Sequence, residues 1–110
     1  MTGVQTCALP IYTVRLLLIA EQDLADLVSY LAAENSRAAT EVLDRIEARL
    51  EALESHPFVG RVPHNAKLTA LGYRVLVIDN YLVFYKVKAN LVLVHRILHG
   101  ARDLLRVLSE

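Results

Sequence analysis

Side chains that could transfer a proton or hold an anion are concentrated in the second half of this 110-residue chain. His95 and His99 stand four positions apart, and histidine titrates near neutral pH, so both are candidates for moving protons. Arg74, on an earlier strand-like run, is a candidate for holding a negative charge. The alternative is that both histidines are ordinary packing residues of a sheet. Whether the three side chains meet depends on how the strands pair.

Two predicted turns set that pairing. A two-residue turn at 79–80 places Arg74 opposite Tyr85, and a three-residue turn at 88–90 places Tyr85 opposite Leu93. One face of the sheet then mixes large apolar groups with an arginine, two tyrosines and two histidines, which suits a nucleic acid or an extended peptide. A slip of one residue would exchange every assignment. This expected open face carries Arg74, Leu76, Ile78, Tyr81, Val83, Tyr85, Leu93, His95, Ile97 and His99.

Two segments ahead of this sheet have helical periodicity. Apolar residues recur three or four positions apart from Glu21 onward, and again after Ser36, which we expect to cap the second helix. Helices joined by so short a link are antiparallel, and each has one apolar stripe that needs a covering surface. We expect that surface to be the opposite face of the sheet, which carries Tyr73, Val75, Val77, Leu82, Phe84, Lys86, Val92, Val94, Arg96 and Leu98.

The predicted elements follow the order β, α, α, β, β, β, α. Strands are expected at 12–19, 72–78, 81–87 and 91–99, a polar loop at 61–71, and a short final helix after Gly100. The sequence therefore predicts a single α+β domain over residues 12–110. In it, an N-terminal strand and an antiparallel two-helix hairpin pack with a mainly antiparallel sheet.

The first eleven residues, MTGVQTCALPI, do not fit this pattern. They have no periodicity and no signal-peptide features, and they resemble the translation of a sequencing adapter, so we expect the natural product to begin near Tyr12. A disordered native leader is the alternative. The longest uncharged stretch, residues 1–14, is shorter than a membrane-spanning helix needs. A single cysteine, Cys7, suits a reducing compartment, and we expect a cytoplasmic protein.

Charge is divided along the chain although the total is zero. Residues 1–55 hold four arginines and nine acids, a net charge of −5, whereas residues 56–110 hold eight basic residues and three acids, a net charge of +5. The second half could attract phosphate or an acidic partner. No cofactor motif is present, and strand rise separates His95 and His99 by about 13 Å, so we predict neither a metal site nor a cofactor.

Several short motifs in this order resemble the RelE/ParE superfamily of toxins, over essentially all of residues 12–108. They are AEQDL at 20–24 with Tyr30 ending the first helix, HPFVGR at 56–61, GYR at 72–74, YLVFY at 81–85 and RILHGARD at 96–103. The resemblance implies a toxin encoded beside an antitoxin that wraps and blocks it. Members similar to RelE cleave messenger RNA on the ribosome, whereas members similar to ParE poison DNA gyrase without hydrolysis.

The resemblance also assigns candidate roles. If the protein is a ribonuclease, the catalytic candidates are Arg74, His95, His99 and Arg102. The binding candidates, whichever mechanism holds, are Arg61, Tyr81 and Tyr85. However, the second basic strand position of RelE-like nucleases falls on Leu76, and only aliphatic residues stand where their C-terminal tyrosine is expected. The resemblance therefore favours a ParE-like inhibitor. A ribosome-dependent endoribonuclease and an inactive relic that only binds antitoxin are the alternatives.

Overall fold

Two long helices pack on one face of a four-stranded sheet in the computed structural model, which describes residues 12–100. The elements in chain order are β1 (Thr13–Leu16), α1 (Leu18–Glu34), α2 (Ser36–Ala52), α3 (Ala66–Ala70), β2 (Arg74–Ile78), β3 (Tyr81–Lys88) and β4 (Leu91–His99). The strand order is β1-β4-β3-β2, with β1 parallel to β4 and the other pairs antiparallel. The expected α+β class is confirmed. The leader at 1–11 and the expected C-terminal helix lie outside the described residues.

The apolar run predicted as one strand at 12–19 is divided between β1 and α1. Strand β1 ends at Leu16, opposite Val94, and α1 begins two residues later. The side chains of Leu18 and Ile19 are 78% and 50% exposed, so their apolar character does not mark a buried strand. Ala20 is fully buried in the core cluster. The chain turns into a helix where a small side chain permits close packing on the sheet.

Helix α2 is capped by Asn35 rather than by the predicted Ser36. The Asn35 side chain accepts hydrogen bonds from the backbone N–H groups of Arg37 at 3.0 Å and Ala38 at 3.1 Å. Because the backbone of Asn35 is extended, its side chain reaches the donors that the first helical turn leaves unpaired. None of the helices within residues 12–100 is long and apolar enough to cross a bilayer.

The β2–β3 hairpin has the predicted register, whereas the β3–β4 hairpin does not. The second turn has two residues instead of three, because Ala89 adopts a left-handed φ of 55° and Lys88 pairs with Leu91. A bulge then leaves His95 without a cross-strand pairing partner, since Tyr85 pairs with Val94 and Phe84 pairs with Arg96. The pairing therefore slips by one residue before His95 and by two after it, relative to the prediction.

The helices also cover the face that was predicted to be open. The helix-packed face consists of the core residues Leu76, Ile78, Val83, Tyr85, Val92, Val94 and Ile97, which cluster with Ala20, Ile46, Leu50 and Leu53 of the helical layer. The prediction failed because the two-residue turn puts Val92 and Val94 on the same face as Tyr85. The bulge then turns Ile97 to that face as well, which simple alternation forbids. The opposite side, called the outer face below, includes Arg15, Tyr73, Val75, Val77, Leu82, Phe84, Lys86, Leu93 and His95.

Candidate functional site

Tyr85, one of the predicted binding residues, is fully buried on the helix-packed face. Its hydroxyl donates to the carbonyl of Pro57 at 2.7 Å and accepts from the N–H of Gly60 at 2.9 Å. A Cβ on Gly60 would lie 2.5 Å from that hydroxyl, so only glycine fits there. Burial raises the pKa of Tyr85, although the Gly60 hydrogen bond and the charge of Arg74 oppose the shift. These contacts make Tyr85 an anchor for the 57–60 loop.

Arg74 holds the same loop. Its guanidinium donates to the carbonyls of Gly60 at 2.8 Å and Phe58 at 3.2 Å, and it lies 5.0 Å from the centroid of the Phe58 ring. Arg61 extends the anchoring through its backbone, which exchanges two 2.8 Å hydrogen bonds with Val75 at the edge of β2. The HPFVGR motif at 56–61 is therefore a loop fastened to the sheet.

His99 and Tyr81 lie on the α1 side of the sheet. Their rings pack edge to face with 5.4 Å between the ring centroids. Both residues line a cleft of about 610 Å³ between α1 and the end of β4. Asp23 of α1 accepts from Arg96 at 2.8 Å and from the backbone N–H of Ile97 at 3.0 Å. The Asp23 carboxylate thus pins α1 to the part of β4 that extends beyond the end of β1.

His95 faces away from these residues, on the outer face. Its Nδ1 lies 3.2 Å from the hydroxyl of Tyr73, and the two rings meet edge to face at 5.1 Å. The ammonium of Lys86 lies 4.6 Å from the centroid of the Tyr73 ring, and the ring of Phe84 meets that of Tyr73 at 6.4 Å. Partial burial and then the charge of Lys86 lower the pKa of His95. Its neutral form is therefore favoured at neutral pH.

The predicted convergence of Arg74, Tyr85, His95 and His99 on one surface is wrong. Arg74 and Tyr85 bind the 57–60 loop, His99 lines the α1 cleft, and His95 lies on the outer face. Arg102 lies outside the described residues. The structure instead groups Tyr73, Phe84, Lys86 and His95, of which only His95 was predicted as a site residue. A two-residue turn at Ala89 and Asn90 would have placed His95 beside Phe84 and Lys86, but no glycine marks that turn in the sequence.

Next to this group lies a groove, called the loop groove below. Residues 61–65 and α3 form one wall, and the outer face of the sheet forms the other. The groove has a volume of about 210 Å³. The residues that line this groove are Arg61, Val62, Pro63, His64, Asn65, Leu68, Val75, Val77, Leu82 and Phe84, and none of them is acidic. The 61–71 segment was predicted as a polar loop, but α3 forms within it because the Asn65 side chain accepts a 3.0 Å hydrogen bond from the N–H of Leu68. An apolar floor with basic groups at its rim suits a ligand that is both apolar and acidic.

No three His, Cys, Asp or Glu side chains within residues 12–100 are grouped so that they could hold a metal ion.

Comparison with known proteins gives matches of two kinds. The model of the ParE toxin of type II toxin-antitoxin system, parDE, matches residues 14–104. Among solved structures, the chain is similar to the chromosomal ParDE TA system from P. aeruginosa, with 16% identity, a TM-score of 0.68, and coverage of 82% of this chain and 97% of that chain. It is also similar to the toxin-antitoxin complex RelBE2 from Mycobacterium tuberculosis, with 23% identity, a TM-score of 0.58, and coverage of 83% and 99%.

At these identities the two solved structures establish a shared fold. A comparison with curated proteins finds no match. The family match is the more informative result, because it begins in β1 and extends past the end of β4. The chain therefore belongs to the ParE toxin family of type II toxin-antitoxin systems.

Proposed function

We propose that this protein is a cytoplasmic toxin that inhibits growth by binding DNA gyrase, and that a cognate antitoxin neutralises it. Membership of the ParE family supports this proposal, as does the fold shared with a ParDE system. The observation that carries it is the separation of the candidate catalytic side chains. Arg74 is committed to the carbonyls of Phe58 and Gly60, and His99 lies on the opposite side of the sheet from His95.

This separation argues against RNA cleavage by the expected residues. Cleavage through a 2′-hydroxyl needs a base, a cation at the phosphate and an acid for the leaving oxygen, all within reach of one phosphodiester. Arg74 and His99 cannot join His95 at such a point. Inhibition by binding requires only a complementary surface, and the apolar loop groove with its basic rim provides one.

A ribosome-dependent endoribonuclease is the second candidate, favoured by one specific observation. His95 has a lowered pKa and lies beside Tyr73 and Lys86, so a neutral base and a cation share the outer face. If this group cleaved RNA, replacing His95 with glutamine would abolish cleavage while leaving the fold intact.

Expression of the full chain with and without the adjacent antitoxin gene tests the proposal in cells. We expect growth to stop without the antitoxin, plasmid DNA to lose negative supercoiling, and messenger RNA to remain intact. Coexpression of the antitoxin should restore both growth and supercoiling. Fragmented messenger RNA with normal supercoiling would contradict the proposal and support the endoribonuclease. Unaffected growth would point to an inactive relic.

A further inference from the structure

Three basic side chains on the outer face and at the loop groove are not neutralised by any carboxylate of the described region. Arg15, Arg61 and Lys86 form no ion pair with a carboxylate within residues 12–100. The ion pairs that do form there all involve the helical hairpin. They are Arg37 with Glu41, Arg45 with Asp79, and Arg96 with Asp23.

The acids of the described region are on the other side of the molecule. They belong to α1, to α2 and its C-terminal end, or to the hairpin turn at Asp79, which binds Arg45 of α2. The protein therefore has an acidic helical layer and a basic outer face. This distribution favours an acidic partner for the outer face and disfavours one for the helices.

Lys86 is held in place on the outer face. Its ammonium sits over the Tyr73 ring at 4.6 Å, and Tyr73 is itself fixed by the 3.2 Å contact with His95 and by the edge of Phe84. A side chain restrained in this way loses less conformational entropy when it binds a ligand. The Lys86 side chain is therefore preorganised to bind an anionic group.

Lys86 and the loop groove form one continuous surface. Phe84 is part of the groove lining and lies two residues before Lys86 on β3, roughly 7 Å along the strand. A ligand with a carboxylate at Lys86 can therefore place neighbouring apolar groups in the groove, beside Val77 and Leu82.

We propose that the loop groove and Lys86 together dock a segment of the antitoxin that carries both apolar and acidic side chains. Apolar side chains of the segment fill the groove, and one of its carboxylates pairs with Lys86. This inference rests on the proposed function, because it takes the antitoxin as the partner. A nucleic acid fits less well, since Phe84 is only 6% exposed and Lys86 covers one face of the Tyr73 ring, which leaves poor surfaces for base stacking.

Calorimetric titration of the full-length toxin with the purified product of the adjacent antitoxin gene tests this surface. Lys86→Glu should weaken binding by about tenfold or more, and Lys86→Gln should weaken it less, because it removes the charge without reversing it. Val77→Asp should also weaken binding, since it puts a charge into the apolar groove. The matched controls are Arg37→Glu on the exposed side of α2 and Val59→Asp outside the groove lining, both expected to bind within about twofold of the unmodified toxin.

The possible outcomes separate the two proposals. If the unmodified toxin does not bind the antitoxin, the proposed partnership itself fails. If it binds, but Lys86→Glu and Val77→Asp bind as tightly as their controls, the docking surface is wrong while the partnership stands. Binding of a labelled single-stranded RNA to the same toxin variants is measured in parallel. If Lys86→Glu abolishes RNA binding but leaves antitoxin binding unchanged, the outer face binds nucleic acid and this inference is overturned.

Discussion

The Tyr85 hydroxyl makes two hydrogen bonds inside the core, to the Pro57 carbonyl and from the Gly60 N–H. Tyr85→Phe keeps the ring but leaves both backbone groups buried without their partner. We expect it to lower the free energy of unfolding by about 2 kcal/mol, the usual cost of unsatisfied buried polar groups. Chemical denaturation followed by circular dichroism measures this change.

The control is the same substitution at an exposed tyrosine. Tyr30 is 63% exposed on α1, so Tyr30→Phe should change the free energy of unfolding by less than about 0.5 kcal/mol. Equal effects of the two substitutions would contradict the anchoring role of the Tyr85 hydroxyl.

His95 is expected to titrate below its ordinary pKa, because it is partly buried and faces Lys86. As the pH falls below about 6.5, His95 is protonated more readily in the unfolded state than in the folded state. The contribution of His95 to stability is therefore present above that pH, and it is lost as the pH falls through the lowered pKa of the folded state. An NMR titration of the His95 ring measures the pKa. In Lys86→Gln the pKa should rise but stay below the ordinary value, since burial is the larger cause. An unchanged pKa would mean that Lys86 does not act on His95.

Two neighbouring residues, Asn35 and Ser36, are candidates for the N-cap of α2. Asn35 makes the capping hydrogen bonds, whereas the sequence alone favoured Ser36. Asn35→Ala should therefore lower the free energy of unfolding by about 1 kcal/mol. Ser36→Ala should change it by no more than a few tenths of a kcal/mol, since alanine is the better helix former. Thermal unfolding of the two variants compares them directly. A larger loss for Ser36→Ala would show that the helix begins one residue later than described.

The order and type of the elements could be predicted because each depends on local patterns. Helical periodicity identified α1 and α2, and the turn at Asp79 gave the register of β2 and β3. The start of α1 could not be predicted in this way, since Leu18 and Ile19 are apolar yet exposed. Local pattern does not reveal which apolar residues a neighbouring element will cover.

The faces of the sheet could not be predicted because two irregularities carry no clear sequence signal. Ala89 takes a left-handed conformation that favours glycine, so the sequence gives no sign of a two-residue turn. The bulge at His95 depends on burying both Val94 and Ile97 under the helices, which is a property of the whole sheet. Each irregularity shifts the pairing by one residue, and together they divided the predicted site between two faces.

Across the whole molecule, the charge asymmetry seen along the chain becomes an asymmetry between two layers. The acidic first half forms the helices, whereas the second half supplies the basic outer face and the loop groove. This property was predictable because whole elements, rather than single registers, determine it. It leads us to expect that the acidic, partly apolar partner docks on the sheet rather than on the helical hairpin.

Action by binding rather than by hydrolysis is most directly tested by titrating purified DNA gyrase with the full-length toxin. We predict that supercoiling is inhibited in proportion to the toxin added until the two proteins are about equimolar, and that ribosome-bound messenger RNA incubated with the same toxin stays intact. Uninhibited supercoiling together with messenger RNA cut by substoichiometric toxin would contradict the account.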